Sequence, residues 1–165
     1  TAEAEKIKSP LTEKKLDYQP KITKTEPMTP MSEKMPVANR IIKRGEVYYT
    51  NLDDAQGHEQ KNDKDTKRRL VVVVSNNKQN EQNKVVVIIP FSSKVHNIKP
   101  TFQVPTYFQG KPGKAKCEQV RAVDVERLLG AKQGNLTEKE MKNIDKKLLI
   151  VLDLVKYLGK PGESR

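Results

Sequence analysis

Two short apolar runs dominate the hydrophobic pattern of the chain, and each meets a polar residue at one end. Leu70–Val74 follows directly on Arg69, and Val85–Pro90 leads through Phe91 to Ser92. Runs this short and this rich in β-branched residues predict buried β-strands. Because buried strands are rigid, an arginine where one strand begins and a serine where the next ends can be held close together. Such a pair suits the binding of a phosphate group.

Weaker patterns predict further strands and polar connections around these two. Partial alternation predicts a first strand over 44–53, a short β-branched segment with proline predicts an edge strand over 101–105, and alternation over 116–123 predicts a half-buried strand. The segments 76–83 and 110–114 are polar or rich in glycine and proline, which predicts turns.

The C-terminal part of the chain predicts a helix. Residues 124–130 have the pattern of a short helical turn that glycine stops, and Thr137 and Glu140 have the spacing of a capping box. Apolar residues then recur every three or four positions from Met141 to Val155, and the helix is expected to end near Leu158. Several strands followed by one helix predict a β-rich α+β domain built on a small antiparallel sheet or barrel.

Composition separates an N-terminal arm from the remainder of the 165-residue chain. Residues 1–40 hold five of the ten prolines, no phenylalanine and one tyrosine. Such a segment cannot bury enough apolar area to offset the entropy lost on ordering. We therefore predict an extended arm over 1–40, a folded domain over 41–160 and a short tail over 161–165.

The positive charge lies mostly on the predicted domain. The net charge is +11, and residues 41–165 hold 24 of the 32 Lys and Arg against 15 of the 21 Asp and Glu. A basic domain attracts polyanions, although a merely soluble lysine-rich surface has the same charge. The single cysteine, Cys117, excludes an intramolecular disulfide, and no apolar run approaches the roughly 20 residues that span a bilayer. With no signal-like apolar segment in the arm, we expect a cytoplasmic protein with no membrane partner.

Candidate chemical groups also lie in the long polar loop 54–68 and on the alternating segment. Glu59 can accept a proton and Gln60 can read a base edge, although solvated loop residues fit the same pattern. Gln119 and Arg121 are two positions apart on a predicted strand and so share a face, which is either an RNA-binding surface or simply a polar exposed face. No His, Asp and Glu residues have the spacing of metal ligands, so we expect no metal and no other cofactor.

Five segments in order resemble the MazF/PemK toxins of type II toxin–antitoxin systems. They are Lys43–Tyr48, Gln56–Gln60, Arg69–Val73, Ile89–Ser93 and Cys117–Asp124. The resemblance implies an SH3-like small β-barrel of the CcdB/PemK type with a C-terminal helix, usually a homodimer. It also implies metal-independent, sequence-specific cleavage of single-stranded mRNA, in which the 2′-hydroxyl attacks to leave a 2′,3′-cyclic phosphate and a 5′-hydroxyl. The implied partner is a cognate antitoxin, whose acidic and largely disordered segment would lie in the RNA groove.

The same resemblance suggests roles for individual residues. Arg69 matches the catalytic arginine of the family, Ser92 supplies the hydroxyl where threonine is common, and Glu59 is a candidate general base. Leu70 stands where the family usually has proline. The residues that we expect to bind RNA are Arg68, Gln60, Ser93, Lys94, Gln119 and Arg121.

Two other functions remain open from the sequence. The same barrel serves the CcdB-type toxins, which bind DNA gyrase and have no nuclease activity, and a non-catalytic RNA-binding module would have a similar charge. The pairing of Arg69 with Ser92 argues against the gyrase-binding class. We interpret His58 and His96 as surface residues, and Cys117 as a buried small apolar residue.

Overall fold

The computed structural model describes residues 40–159 of the chain. Seven strands and two helices lie within these residues: β1 Glu46–Thr50, β2 Arg69–Val73, α1 Asn77–Gln82, β3 Val85–Ser92, β4 Gln103–Phe108, β5 Lys111–Lys116, β6 Arg121–Asp124, β7 Leu128–Asn135 and α2 Glu138–Val151. The predicted arm, apart from Arg40, and the predicted tail lie outside the described residues.

The strands form one antiparallel sheet in the order β4-β5-β3-β2-β1-β7, with β6 paired to β3. The long strand β3 joins the parts of the sheet, because Ile88 pairs with Val73 of β2 on one edge and with Arg121 of β6 on the other. Further along β3, Phe91 pairs with Ala115 of β5. The sheet is not closed by pairing between β4 and β7 within residues 40–159. The predicted β-rich α+β fold with a C-terminal helix is confirmed.

The two faces of the sheet bury separate apolar clusters. Val72 of β2 contacts one cluster, whereas Val71 and Val73 contact the other. Because both faces are covered, Leu70–Val74 is continuously apolar instead of alternating. Helix α2 covers the first cluster, into which it places the fully buried Ile144.

Four predicted strands are confirmed, with adjusted ends. The strand predicted over 44–53 is the shorter β1, and the two apolar runs form β2 and β3. The strand predicted over 101–105 is β4, which pairs only with β5 within the described part of the chain and is therefore an edge strand. The exposed Pro105 fits this position, since proline cannot donate to a second neighbouring strand.

The segment 76–83, predicted as a turn, contains helix α1. The Asn76 side chain begins this helix by accepting a hydrogen bond of 2.8 Å from the amide of Gln79. Asparagine is a strong N-cap residue, so the polar residues that suggested a turn also start a helix.

The segment 110–114, also predicted as a turn, belongs mostly to β5. Its glycine and proline content suggested the turn, but every residue from Lys111 to Lys116 pairs with β4. Strand β5 pairs with β3 only through Lys114 and Ala115. Pro112 lies where the strand has no second neighbour, which is where a sheet tolerates proline.

The strand predicted over 116–123 is interrupted. Cys117–Gln119 forms a 3₁₀ turn, and the strand resumes only at Arg121 as β6. The prediction that Gln119 and Arg121 share one face of a strand is therefore wrong, because strand alternation does not run through the turn.

The short helical turn predicted in 124–130 exists at Val125–Arg127, where the Asp124 side chain caps it. The prediction that glycine stops this turn is wrong, because the turn already ends at Arg127. Gly130 lies inside β7, where its φ of +63° is one that glycine adopts without strain.

Helix α2 begins at the predicted capping box. The Thr137 side chain accepts from the Glu140 amide, and the Glu140 carboxylate accepts from the Thr137 amide at 3.0 Å. The helix ends at Val151, earlier than predicted, because Asp153 has a φ of +54° and cannot continue a right-handed helix. Neither helix within residues 40–159 has the length and apolar character needed to cross a membrane.

A buried carboxylate fixes the start of β1. Glu46 accepts hydrogen bonds from the Lys43 amide (2.9 Å), the Tyr48 hydroxyl (2.8 Å) and the Lys132 ammonium (3.2 Å). Burial disfavours its ionisation, but these three donors outweigh burial and hold the pKa of Glu46 below its ordinary value of 4.5. The ionised carboxylate therefore stabilises the fold.

We expect Glu46→Gln to lower the free energy of unfolding by about 1–3 kcal/mol at neutral pH, because it replaces the buried charged acceptor of three donors with a neutral amide. A group whose pKa is depressed by folding stabilises the protein above its unfolded pKa and loses that effect as pH falls. The difference between wild type and variant should therefore shrink below pH 4.5. Urea unfolding across pH measures it, with the exposed Glu81→Gln as control. A difference that stays constant with pH would contradict this account.

Candidate active site

Arg69 begins β2 and Ser92 ends β3, two strands that pair antiparallel. The pairing runs from Val73 with Ile88 to Val71 with Pro90, so Arg69 and Ser92 each lie two residues beyond its last pair, at the same end of the two strands. Side chains alternate along strands, so Arg69 lies on the same face as Val71, and Ser92 on the same face as Pro90. The predicted proximity of the arginine and the serine thus follows from the strand pairing.

Both residues line an open cavity of about 870 Å³. Its charged walls are mainly cationic, with seven cationic side chains against three carboxylates. These are Lys61, Lys64, Arg69, Lys94, Lys99, Lys114 and Lys116 against Asp63, Asp65 and Glu118. A concave surface with this charge concentrates anions. No group of three or more His, Cys, Asp and Glu side chains within residues 40–159 is placed to hold a metal ion.

A hydrogen bond from Nε holds the Arg69 side chain in place. Its Nε donates to the carbonyl oxygen of Lys61 at 2.8 Å, and within the described part of the chain its two terminal nitrogens make no hydrogen bond. Burial lowers the pKa of Arg69, and the nearby Asp63 opposes this effect. An arginine remains charged under such conditions, so the terminal nitrogens can bind two oxygens of an anion.

Ser92 is buried at the cavity wall. Its Oγ accepts a hydrogen bond from the Lys94 amide at 3.3 Å, and an oxygen that accepts can still donate its own proton. Ser93 and Lys94 line the same cavity and are exposed. The Arg69 guanidinium and the Ser92 hydroxyl therefore present donors to the same space.

The polar loop between β1 and β2 is held against the cavity by side-chain hydrogen bonds. Asn62 accepts from the Leu52 amide at 2.8 Å and donates to Asn51 at 2.8 Å. Gln119 accepts a hydrogen bond from the Gln60 amide and donates to the His58 carbonyl oxygen at 3.2 Å. Gln60 and Gln119 thus both line the cavity, although Gln119 is engaged by the loop.

Glu59 and Arg121 lie in an adjoining cleft of about 470 Å³. The Glu59 carboxylate accepts from the Gln56 amide at 2.8 Å, and Arg121 donates to Asp54 at 3.1 Å. Hydrogen bonds from Arg127 and Arg121 lower the pKa of Asp54 to about 2, so this carboxylate stays charged. The structure therefore places Glu59 and Arg121 beside the cavity and not within it.

Arg68 lines neither cavity. Its guanidinium stacks over the ring of Tyr49 at 3.8 Å from the ring centre. Leu70 packs against the first apolar cluster, so the residue found in place of the usual proline serves the core. Of the two adjacent arginines, only Arg69 reaches the cavity.

Twelve cavity residues lie outside the predicted site, and four of them come from β4, β5 and the turn that follows: Gln103, Lys114, Lys116 and Glu118. The alternation of Lys114 and Lys116 with the buried Ala115 and Cys117 was the available signal for the two lysines. It was hidden because 110–114 was assigned to a turn. Gln103 donates to Glu118 at 2.7 Å, a pairing between distant residues that sequence spacing does not indicate.

Cys117 is buried, as predicted, and burial and the neighbouring Glu118 raise its pKa to about 12. Because the thiolate is the reactive form, we expect native protein to resist alkylation by iodoacetamide at pH 8 and to react quickly in urea. Mass spectrometry of the adduct measures this, and rapid labelling of the native protein would contradict it. The predictions for His58 and His96 also hold, since both are exposed.

Fold and cavity together define a small antiparallel β-sheet protein with a cavity whose charged walls are mainly cationic. The sequence profile of the family described as "PemK-like, MazF-like toxin of type II toxin-antitoxin system" matches residues 43–152. The match covers two thirds of the chain, and the chain belongs to this family. A search of curated proteins found no match to the chain.

Solved structures share the fold at low sequence identity. MazF from Deinococcus radiodurans superposes with a TM-score of 0.59 and 19% identity, covering 70% of this chain and 99% of that chain. A structure named endoribonuclease from a mycobacterial species has a TM-score of 0.54 and 22% identity, covering 69% of this chain and 93% of that chain. A complex of a mycobacterial endoribonuclease with its cognate antitoxin has a TM-score of 0.54 and 22% identity, covering 73% and 99%.

Proposed function

We propose that this toxin is a metal-independent endoribonuclease that cleaves single-stranded mRNA at a short sequence. The observation that carries the proposal is the placement of Arg69 and Ser92 together on the wall of a cationic cavity. The resemblance to endoribonucleases of known structure supports it at the level of the family.

The proposed reaction uses the nucleophile that RNA itself supplies. The 2′-hydroxyl loses its proton and attacks the adjacent phosphorus, the bond to the 5′-oxygen breaks, and that oxygen takes up a proton. The products are a 2′,3′-cyclic phosphate and a 5′-hydroxyl. Arg69 and Ser92 donate to the phosphoryl oxygens, which gain negative charge in the transition state. Ser92 is not a covalent nucleophile in this scheme.

Proton transfer is assigned to Glu59 as the candidate general base. Its carboxylate is exposed and borders the adjoining cleft, where it holds the Gln56 amide. Accepting a proton from RNA would require that hydrogen bond to open when the strand binds. The RNA-binding roles proposed for Gln60, Ser93, Lys94 and Gln119 rest on their positions in the cavity wall, and that of Arg121 on the adjoining cleft. Arg68, outside both, would reach only flanking nucleotides.

The proposed inhibitor is an acidic, largely disordered segment of a cognate antitoxin that occupies the cavity and excludes RNA. The excess of cations on the cavity wall supports this proposal. The similar solved structures include complexes with an antitoxin, one from a mycobacterial species and others from Deinococcus radiodurans in which the antitoxin is MazE.

The proposed assembly is a homodimer. Six apolar side chains are exposed at the end of α2 and just beyond it: Ile150, Leu152, Leu154, Val155, Tyr157 and Leu158. A segment that exposes so many apolar side chains is typical of an interface. Light scattering on the purified protein is expected to give twice the monomer mass of 18.8 kDa, and a monomer at micromolar concentration would contradict the dimer.

Incubation with single-stranded RNA in EDTA tests the proposed function. We expect cleavage at a defined short motif without added metal. Intact RNA together with inhibition of DNA gyrase supercoiling would instead support the CcdB-type function. Binding of RNA without cleavage in any buffer would support a non-catalytic RNA-binding module.

A further inference from the structure

Two lysines extend the row of donors beyond Arg69 and Ser92. Strand β5 pairs with β3 so that Lys114 lies opposite Ser92. Lys116 is two residues further along β5 and therefore lies on the same face as Lys114. Both line the cavity that contains Arg69.

Lys114 is unusual because its side chain is buried without an acidic partner. It is 8% exposed, and no ion pair joins it to a carboxylate within residues 40–159. Lysine is rarely buried unless it is paired. Its stem can lie along the sheet while the ammonium group reaches the cavity.

The surroundings of Lys116 are also mainly cationic. Burial lowers the pKa of Lys116, Glu118 opposes this, and Lys114, Arg69 and Lys99 add to the lowering. Glu118 is the carboxylate that opposes the lowering at Lys116, and its Oε1 already accepts a hydrogen bond from the Gln103 side chain at 2.7 Å. Its other oxygen, Oε2, is buried and has no hydrogen-bond partner within the described residues. Like charges this close disfavour one another unless an anion lies between them.

The order of the strands separates these lysines from the first anion site. Arg69, Ser92 and Lys114 lie on three successive strands, whose spacing is about 4.8 Å each. The backbones that carry Arg69 and Lys114 are therefore about 10 Å apart, and Lys116 lies roughly 6.6 Å further along β5. The cavity wall therefore presents cationic groups at more than one place along its length, which leaves room for a second phosphate beside the one at Arg69.

We infer that Lys114 and Lys116 bind a second phosphate of the RNA strand, next to the phosphate held by Arg69 and Ser92. The identification of the ligand as an RNA strand rests on the proposed function. The inference implies that the ligand is a polynucleotide, because a mononucleotide monophosphate would fill only one of the two sites. It also gives β5 a role in directing the path of the bound RNA.

Binding of an uncleavable strand tests the second site. The full chain is titrated into fluorescein-labelled 2′-O-methyl RNA of mixed sequence in EDTA, and anisotropy is measured over a range of salt concentrations. For Lys114→Gln/Lys116→Gln we expect about tenfold weaker binding and a salt slope of log K reduced by about 0.7, the value for one single-strand phosphate contact. The control Lys111→Gln/Lys142→Gln removes the same charge from exposed positions.

The outcomes separate this site from the proposed function and from misfolding. Affinity and slope equal to those of the control pair would overturn the second site, even if the wild type cleaves RNA. Weakened binding with a reduced slope would support it, even if the wild type cleaves nothing and the nuclease proposal fails. Lys114→Arg/Lys116→Arg keeps the charge and should recover the wild-type slope, and a slope that stays low would overturn the site.

Discussion

Replacing Arg69 with alanine is expected to slow RNA cleavage by about 10²–10³-fold, the usual cost of removing a preorganised donor to a developing oxyanion. The guanidinium is held by its Nε on the Lys61 carbonyl oxygen, which leaves two terminal nitrogens for the phosphate. Lysine at this position keeps the charge but loses the fork, so Arg69→Lys should recover only part of the rate. Single-turnover cleavage of a labelled RNA measures both variants.

Arg68→Ala is the matched control, because it removes the same side chain one residue earlier. Arg68 stacks on Tyr49 and lines neither cavity, so its loss should change the rate less than tenfold. An equal loss of cleavage rate in the two alanine variants would show that Arg69 and Ser92 are not at the centre of the reaction. A thermal melt that matches wild type would show that either variant is folded.

Replacing Ile144 with alanine is expected to lower the free energy of unfolding by about 2–5 kcal/mol. Ile144 is fully buried where α2 packs on the first apolar cluster, so truncation leaves a cavity that rigid strands cannot fill. Urea unfolding followed by circular dichroism measures the change.

Lys139→Ala provides the comparison within the same helix. Its side chain is exposed and lies outside the proposed dimer surface, so truncation should cost less than about 1 kcal/mol. Similar losses for both variants would contradict the packing of α2 through Ile144.

The central pair of the site could be predicted because two strong signals coincide. Continuous β-branched runs identify β2 and β3, and each run ends on a polar residue, Arg69 or Ser92. Antiparallel pairing of consecutive strands then brings the start of one to the end of the next. The capping box of Thr137 and Glu140 was equally visible, because it depends on residues only three positions apart.

The positions of Lys114 and Lys116 in the cavity could not be predicted, because the local sequence of this segment favours a different structure from the one that it adopts. Gly110, Pro112 and Gly113 favour a turn, but pairing with β4 keeps Lys111–Lys116 extended. Local propensity gives way to tertiary pairing in this segment. With the strand mistaken for a turn, Lys114 had no assigned face and no neighbour across the sheet.

The position of Glu59 relative to Arg69 also could not be predicted from the sequence. It depends on how the loop folds back, which is set by hydrogen bonds between distant residues such as Gln60 and Gln119. A chain of polar residues has no hydrophobic periodicity from which such contacts can be predicted. The 3₁₀ turn Cys117–Gln119 was hidden in the same way, since it interrupts an alternation of apolar and polar residues that continues in the sequence.

The most direct test of the account is whether the 2′-hydroxyl of the RNA is the nucleophile. The cut site is first mapped on a single-stranded RNA, and the one nucleotide that precedes the cut is then replaced by its 2′-deoxy form. The account predicts that wild-type protein in EDTA binds this substrate and leaves it intact, while the all-RNA strand yields a 2′,3′-cyclic phosphate and a 5′-hydroxyl. Cleavage of the substituted strand at the same position would contradict the account.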